Sequence, residues 1–352
     1  MHGTQHKFIG IALTEGTDIE ELQEEISELD PELIQRIAVF RPGTLGDMIL
    51  TTPLFAALKK VFPESHLTVI ASRWNRIIPE NHPDVDEVIG IPSGVGGIPV
   101  WLAILVGGRF DLYIDPKDHR STTSRIIANW IRVPHKFVVP ANLPLFASSE
   151  IIPPPADTHF VDSALAPMLV IAPDQQFERR PSFRIPEEAR RRMEEALRAI
   201  NSPFLLINVS TGSPTRRWPD EKWIALLREV DPDYPIVIIG LPEEKESIER
   251  IAATCSHAFF QPTENLMEVA ALVDMARALI TCDTSIVHIA GVLNKPLLAL
   301  YFNAPEMMEK FAPLSDVQKI IVQPNQQPVA EIGVDEVVGK LVEFIELVEF
   351  ME

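Results

Sequence analysis

The stretch Ile37-Ala38-Val39-Phe40-Arg41-Pro42-Gly43-Thr44-Leu45-Gly46-Asp47 changes its apolar period from one end to the other. Ile37 to Phe40 is a strongly β-forming run, whereas Met48 to Phe62 has helical apolar spacing. Arg41 to Asp47 is therefore a strand-to-helix turn. In open parallel α/β sheets the carboxyl ends of the strands are where ligands bind. Neither G-x-x-x-x-G-K-[ST] nor G-x-G-x-x-G occurs in this turn, so it is neither a P-loop nor a dinucleotide fingerprint.

Outward from this turn the same alternation continues, which identifies βα units around a parallel sheet. The first set has strands near Ile37 to Phe40, Leu67 to Ala71, Val85 to Ile91, Leu112 to Asp115 and Phe137 to Val139. Pro140 to Pro155 has little periodicity, Phe160 to Leu169 reads as a helix, and a second break follows near Pro173 to Pro186. A second set has strands near Phe204 to Val209, Ile236 to Ile239, Leu279 to Thr281 and Leu297 to Tyr301. These divide the chain into an acidic extension (1–35), two α/β domains (36–178 and 179–328) and a terminal segment (329–352). In the last, Val334, Val337, Val338, Leu341, Ile345 and Val348 form one helical stripe, expected to dock on a neighbour such as the N-terminal domain.

Composition limits the function. The 352 residues suit two domains of about 150 each. The formal charge of −19 opposes a general nucleic-acid surface, so any phosphate site must be local. Glu15 to Glu32 contains no Lys or Arg and reads as a solvated acidic segment. Cys255 and Cys282 lack C-x-x-C spacing, which indicates neither a disulfide framework nor a zinc site and suits a reducing cytoplasm. The apolar stretch Ile98 to Gly108 is about half the length needed to cross a bilayer.

Three polar turns carry the chemistry. In the first, Asp47 reads either as a helix cap or as a base able to take a proton. The second, Ser210-Thr211-Gly212-Ser213-Pro214-Thr215-Arg216-Arg217-Trp218-Pro219, reads as an anion cradle or as a surface turn. The third, Asp283-Thr284-Ser285-Ile286-Val287-His288, opens a helix whose amides point at the same strand edge. Hydrogen bonds to charged groups are worth about 1.5–3 kcal/mol and a helix terminus about 0.3–1, so arginine would dominate in holding a diphosphate. Asp283 suits a sugar hydroxyl, a ribose or a backbone amide, and His288 is either a donor near the site or a core histidine.

Together, Arg41 to Asp47, Gly212 to Pro219 and Asp283 to Ala290 resemble glycosyltransferase family 9, the ADP-heptose:lipopolysaccharide heptosyltransferases. The resemblance covers about residues 36 to 325. It implies a GT-B fold, two Rossmann-like domains with parallel sheets facing across a cleft. It also implies inversion at the anomeric carbon, with acceptor bound mainly by the first domain and nucleotide-sugar by the second. Asp47 takes the position of the family's base. Arg216 takes that of the cation on the donor phosphates, where the family commonly has Lys. Asp283 and Thr284 take the late turn, with Ser285 where Gly is common.

Ser210, Thr211, Gly212, Ser213, Ser285 and His288 complete the expected donor site. Thr44, Lys117, His119 and Arg120 are the expected acceptor residues; the last three belong with Arg73, Arg76 and Arg125 to a group of loop cations that reads either as a seat for an anionic lipid-linked sugar or as solvated surface charge. The implied partners are a nucleotide-sugar, ADP-heptose by the resemblance, and a lipid-linked or oligosaccharide acceptor. No nucleic acid is implied, and peripheral contact with the inner membrane is compatible with the reading, which places the protein in the cytoplasm or at that membrane's cytoplasmic face. Asp84-Val85-Asp86 and Asp231-Pro232-Asp233 have the D-x-D spacing of metal-dependent transferases but sit where surface loops are expected, so neither a metal nor another cofactor is expected. An epimerase of similar architecture and a non-catalytic nucleotide-sugar-binding subunit are the rival readings.

Overall fold

A computed structural model describes residues 32–92, 97, 100, 104, 110–117, 119–138, 159–200, 202–302, 304–323 and 327–350. The acidic segment up to residue 31, most of the apolar stretch 98–108 and the stretch 140–155 lie outside the described residues. The chain divides into two compact units between Phe183 and Arg184, within the break read at Pro173 to Pro186.

The first unit holds β1 (Arg36–Phe40), α1 (Leu45–Val61), β2 (His66–Ser72), β3 (Glu87–Ile91), β4 (Leu112–Asp115), α2 (Thr122–Trp130), β5 (His135–Val138) and α3 (Phe160–Ile171). Its five strands are all parallel, in the order β3-β2-β1-β4-β5. Ile37, Ala38, Val39 and Phe40 are fully buried, as a strand covered on both faces by helices requires. Helix α3 packs on α1, where Phe55, Leu58 and Phe160 are buried.

The second unit holds α4 (Glu187–Ala196), β6 (Leu205–Asn208), α5 (Asp220–Glu229), β7 (Ile236–Ile239), α6 (Lys245–Ala252), β8 (Ala258–Phe260) and α7 (Leu266–Met275). It continues with β9 (Ala278–Cys282), α8 (Ile286–Leu293), β10 (Leu297–Tyr301), α9 (Pro305–Lys310), β11 (Gln318–Val322) and α10 (Val334–Phe350). Its parallel strand order is β11-β10-β9-β6-β7-β8. Strands β8 and β11 have no counterpart among those read from the sequence. The first has only three residues, and the second is an edge strand whose residues are mostly half-buried, so neither has a long apolar run.

Both sheets have the doubly wound order in which the chain starts at an inner strand, builds outward and then returns to the other side. The direction reverses between β1 and β4 in one unit and between β6 and β9 in the other. Connections leave opposite faces at those points, so a crevice opens at the carboxyl ends of the two strands. All three polar turns follow β1, β6 or β9.

The terminal stripe docks within the second unit. Val337, Leu341, Phe344 and Val348 join the core that contains Trp218, Trp223 and Ile321, and α10 packs on α5 and β11.

Candidate active site

In the first unit, the cap of α1 is Thr44, whose hydroxyl accepts the Asp47 amide at 3.3 Å. Asp47 therefore lies inside the first turn and its carboxylate does not serve as the cap. A carboxylate oxygen instead lies 3.3 Å from an Arg41 guanidinium nitrogen, with the Asp47 side chain 17% exposed. Arg41 is fully buried: its Nε donates to Thr51 Oγ1 at 3.3 Å, and the guanidinium lies 4.8 Å from the Phe160 ring centre. A Cβ at Gly43 would come within 3.3 Å of the same Asp47 oxygen, so glycine leaves room for that carboxylate.

The other side of this switch point adds a second charge pair. Asp115, at the end of β4, accepts the Lys117 amide at 3.1 Å. Burial pushes its carboxyl from 3.8 up to about 6, against the opposing pull of Ser124, Lys117 and Arg41. Burial also lowers the Lys117 ammonium, while Asp115 and Asp47 favour its charged form. Lys117 was expected to reach the acceptor, but it lies buried beneath the turn, with Nζ donating to the Pro42 carbonyl at 3.0 Å. This position follows from β4 lying beside β1, which puts the β4 loop under the β1 turn. His119 and Arg120 are exposed on that loop, and Thr44 is exposed although its hydroxyl is engaged as the cap.

In the second unit, Asn208 ties the two strands at the switch point. Its Nδ2 donates to Thr281 Oγ1 on β9 and to the Ser210 carbonyl, both at 2.9 Å. The Ser210 hydroxyl is buried, accepts the Leu241 amide at 2.8 Å and bonds Glu244, which orients it into the fold. Thr211 Oγ1 donates to the Ser213 carbonyl at 2.8 Å, and Ser213 Oγ meets Thr215 Oγ1 at 2.9 Å. Gly212 is exposed, with open space where a Cβ would stand. These bonds hold the loop as a shaped turn.

The two adjacent arginines part company. Arg217 is held by Glu244 and by Asp220 at 3.0 Å, so it belongs to a structural network. Arg216 reaches the third turn, its Nε 3.2 Å from Asp283 Oδ2, with the side chains 40% and 23% exposed. Burial raises the Asp283 carboxyl while Arg216 opposes the shift. An ion pair this exposed is worth about 0.2–1 kcal/mol, so an incoming anion can take the guanidinium at small cost.

Thr284 Oγ1 accepts the Ile286 amide at 3.3 Å at the start of α8, and Ser285, half-buried, is the helix-flanking residue without a side-chain cap bond. His288 is buried one turn inside. Trp218 is also core: it packs edge to face on Trp223 at 4.8 Å, and its indole donates to the Ile332 carbonyl at 3.1 Å. The sequence assigned no role to Arg41, Asp115, Asn208 and Thr281, although Arg41 opens the first motif. Their common signal is a polar residue at the carboxyl end of a buried parallel strand.

Among the described residues no group of three or more His, Cys, Asp or Glu is placed to hold a metal ion, and no helix is long and apolar enough to cross a membrane. In the D-x-D stretches, Asp86 accepts the Leu67 amide and pairs with Lys59, and Asp231 accepts the Asp233 amide.

Two doubly wound domains with polar turns at both switch points form a fold of the GT-B type. The chain belongs to glycosyltransferase family 9 (heptosyltransferase), whose model matches residues 110–340. It is 25% identical over 317 residues to lipopolysaccharide heptosyltransferase 2 of Salmonella typhimurium, covering 81% of this chain and 87% of the relative. Its fold is similar to that of a family 9 glycosyl transferase from Veillonella parvula, with TM-score 0.76, 20% identity and coverage of 90% and 98%. It is likewise similar to E. coli ADP-heptose lipopolysaccharide heptosyltransferase II, with TM-score 0.71, 19% identity and coverage of 90% and 100%. The protein is therefore an enzyme of the glycosyltransferase class.

Proposed function

We propose that this enzyme transfers heptose from ADP-heptose to a hydroxyl of a lipopolysaccharide-core acceptor, with inversion and with Asp47 as general base. The observation that carries the assignment of Asp47 is its release from capping: Thr44 takes that task, leaving a partly exposed carboxylate at the carboxyl edge of β1. The donor and acceptor classes rest on the heptosyltransferase relatives.

In the proposed step, the acceptor hydroxyl gives its proton to Asp47 as its oxygen bonds to the anomeric carbon. The bond from that carbon to the diphosphate oxygen breaks on the opposite face, and its electron pair leaves with ADP. Arg216 exchanges Asp283 for the diphosphate and stabilises the developing charge, assisted by the Thr211–Ser213 turn and the amides at the start of α8. Asp283, released from Arg216, accepts a hydroxyl of the donor, and Ser285 and His288 flank it. Thr44, His119 and Arg120 border the acceptor, and Lys117 supports their loop from below. The chemistry asks for no metal or other cofactor. A nucleotide-sugar donor and a lipid-linked acceptor place the reaction in the cytoplasm at the inner membrane.

Purified enzyme supplied with ADP-heptose and heptose-deficient core acceptor should release ADP in step with acceptor glycosylation. Asp47→Asn should lower turnover by at least about a hundredfold with donor binding retained. Arg216→Ala should weaken donor binding by about tenfold or more. Full turnover in Asp47→Asn would remove the base assignment, and a sugar product without glycosylated acceptor would favour the epimerase reading.

A further inference from the structure

We infer that Arg73 and Trp74 form an acceptor subsite for a sugar that carries an anionic substituent, an inference that rests on the transferase reading above. The two residues follow β2, the strand beside β1, at the same carboxyl edge as the Asp47 turn. Trp74 is 66% exposed, and the Arg73 guanidinium stacks 4.1 Å from the centre of its ring. One ring face is thus occupied by a cation while the indole remains open to solvent.

The Arg73–Trp74 step is rigidly joined to the catalytic turn. Between the exposed Trp74 and Arg76 lies fully buried Asn75, whose Nδ2 donates to the Arg41 carbonyl at 2.9 Å and the Thr44 carbonyl at 3.3 Å. Its Oδ1 accepts the Ser72 amide at 2.9 Å, and Ser72 Oγ lies 3.2 Å from the Gly43 carbonyl. A large apolar ring is therefore held in place at a strand edge where loops usually carry small polar residues.

Charge separates this arginine from its neighbours. Arg76 is neutralised by Glu80 at 2.6 Å, but among the described residues no carboxylate pairs with Arg73. The chain has 50 acidic residues to 31 basic ones, so an arginine kept clear of carboxylates beside the turn is suited to an anion from outside. Arg120, on the loop after β4, likewise has no carboxylate partner among the described residues, and the two loops flank the Asp47 turn because β2 and β4 flank β1. A sugar ring presents C–H groups to an aromatic face, and a phosphate substituent presents oxygens to a guanidinium. Arg73 and Trp74 offer both at one place.

The test measures binding of O-deacylated core oligosaccharide to the full-length protein by calorimetry without donor, using phosphate-bearing and phosphatase-treated forms, alongside acceptor KM in the transfer assay. Trp74→Ala should weaken binding of both forms by about tenfold, raise acceptor KM to match and leave donor KM unchanged, with Trp74→Phe restoring most of the loss. Arg73→Gln should bring the preference for the phosphorylated form down to about unity. Binding within about twofold of wild type in Trp74→Ala would overturn the subsite. So would a loss seen only with vesicles containing phosphatidylglycerol, which would make Trp74 a membrane contact. Loss of the transferase reading would appear separately, as turnover that survives Asp47→Asn.

Discussion

Replacing Arg41 by Met tests the charge arrangement under the first turn. Met keeps much of the apolar stem but removes the guanidinium that lies over the Phe160 ring, the bond to Thr51 and the ion pair with Asp47. Removing one partner of a fully buried ion pair costs about 3–5 kcal/mol. Asp47 retains 17% exposure and so recovers part of its hydration, which brings the expected loss to about 2–3 kcal/mol. At about 2–4 °C per kcal/mol for a domain of this size, the thermal midpoint should fall by roughly 4–12 °C.

Denaturant unfolding of Arg41→Met, Asp47→Asn and the double variant forms a thermodynamic cycle. With the pair intact in the wild type, the losses should be non-additive by about 1 kcal/mol or more, because either change alone already removes the interaction. Turnover should fall in Arg41→Met even where the protein is fully folded, since the carboxylate loses the group that fixes its direction. Additivity within about 0.5 kcal/mol, or unchanged kcat in the folded variant, would refute the claim that Arg41 holds Asp47.

Three further outcomes follow from named side chains. Because the folded Asp115 carboxyl titrates at about 6 instead of 3.8, the native state binds the proton more tightly than the unfolded chain. Stability should fall as pH rises through that window, by up to about 3 kcal/mol, and Asp115→Asn should flatten this part of the pH–stability curve measured by denaturant unfolding. Burial pushes the Cys282 thiol up to about 12, so a thiol reagent at neutral pH should label half-buried Cys255 in the native protein and Cys282 only after unfolding, as peptide mapping would show. Trp218→Ala should cost about 3–5 kcal/mol by removing a core ring and leaving the Ile332 carbonyl without its indole donor, a loss visible in chemical denaturation.

Much of the first turn was legible in the sequence because its determinants are local. An apolar run followed by Gly43, Gly46 and helical spacing is enough to place a strand, a turn and a helix in that order. The task of Asp47 was not legible. A carboxylate and a threonine at the head of a helix compete for the same amides, and only the backbone angles show that Thr44 has taken them. Lys117 gives the same lesson in reverse: a cation just after a strand reads as exposed, yet the loop it occupies runs under a neighbouring turn.

The sequence by itself determined that the chain forms two sets of parallel βα units, where their polar turns fall, and which family motifs they carry, all properties of short stretches and their spacing. Only the tertiary structure decided that β1 lies beside β4 and β6 beside β9. Strand order depends on which apolar faces bury one another across long separations, and local periodicity carries no record of that choice. From that order follow the Asn208–Thr281 tie, the Arg216–Asp283 pair and the seating of Asp115 and Lys117 beside the Arg41–Asp47 turn. They bring charges together because burial makes an unpartnered charge costly and a paired one tolerable.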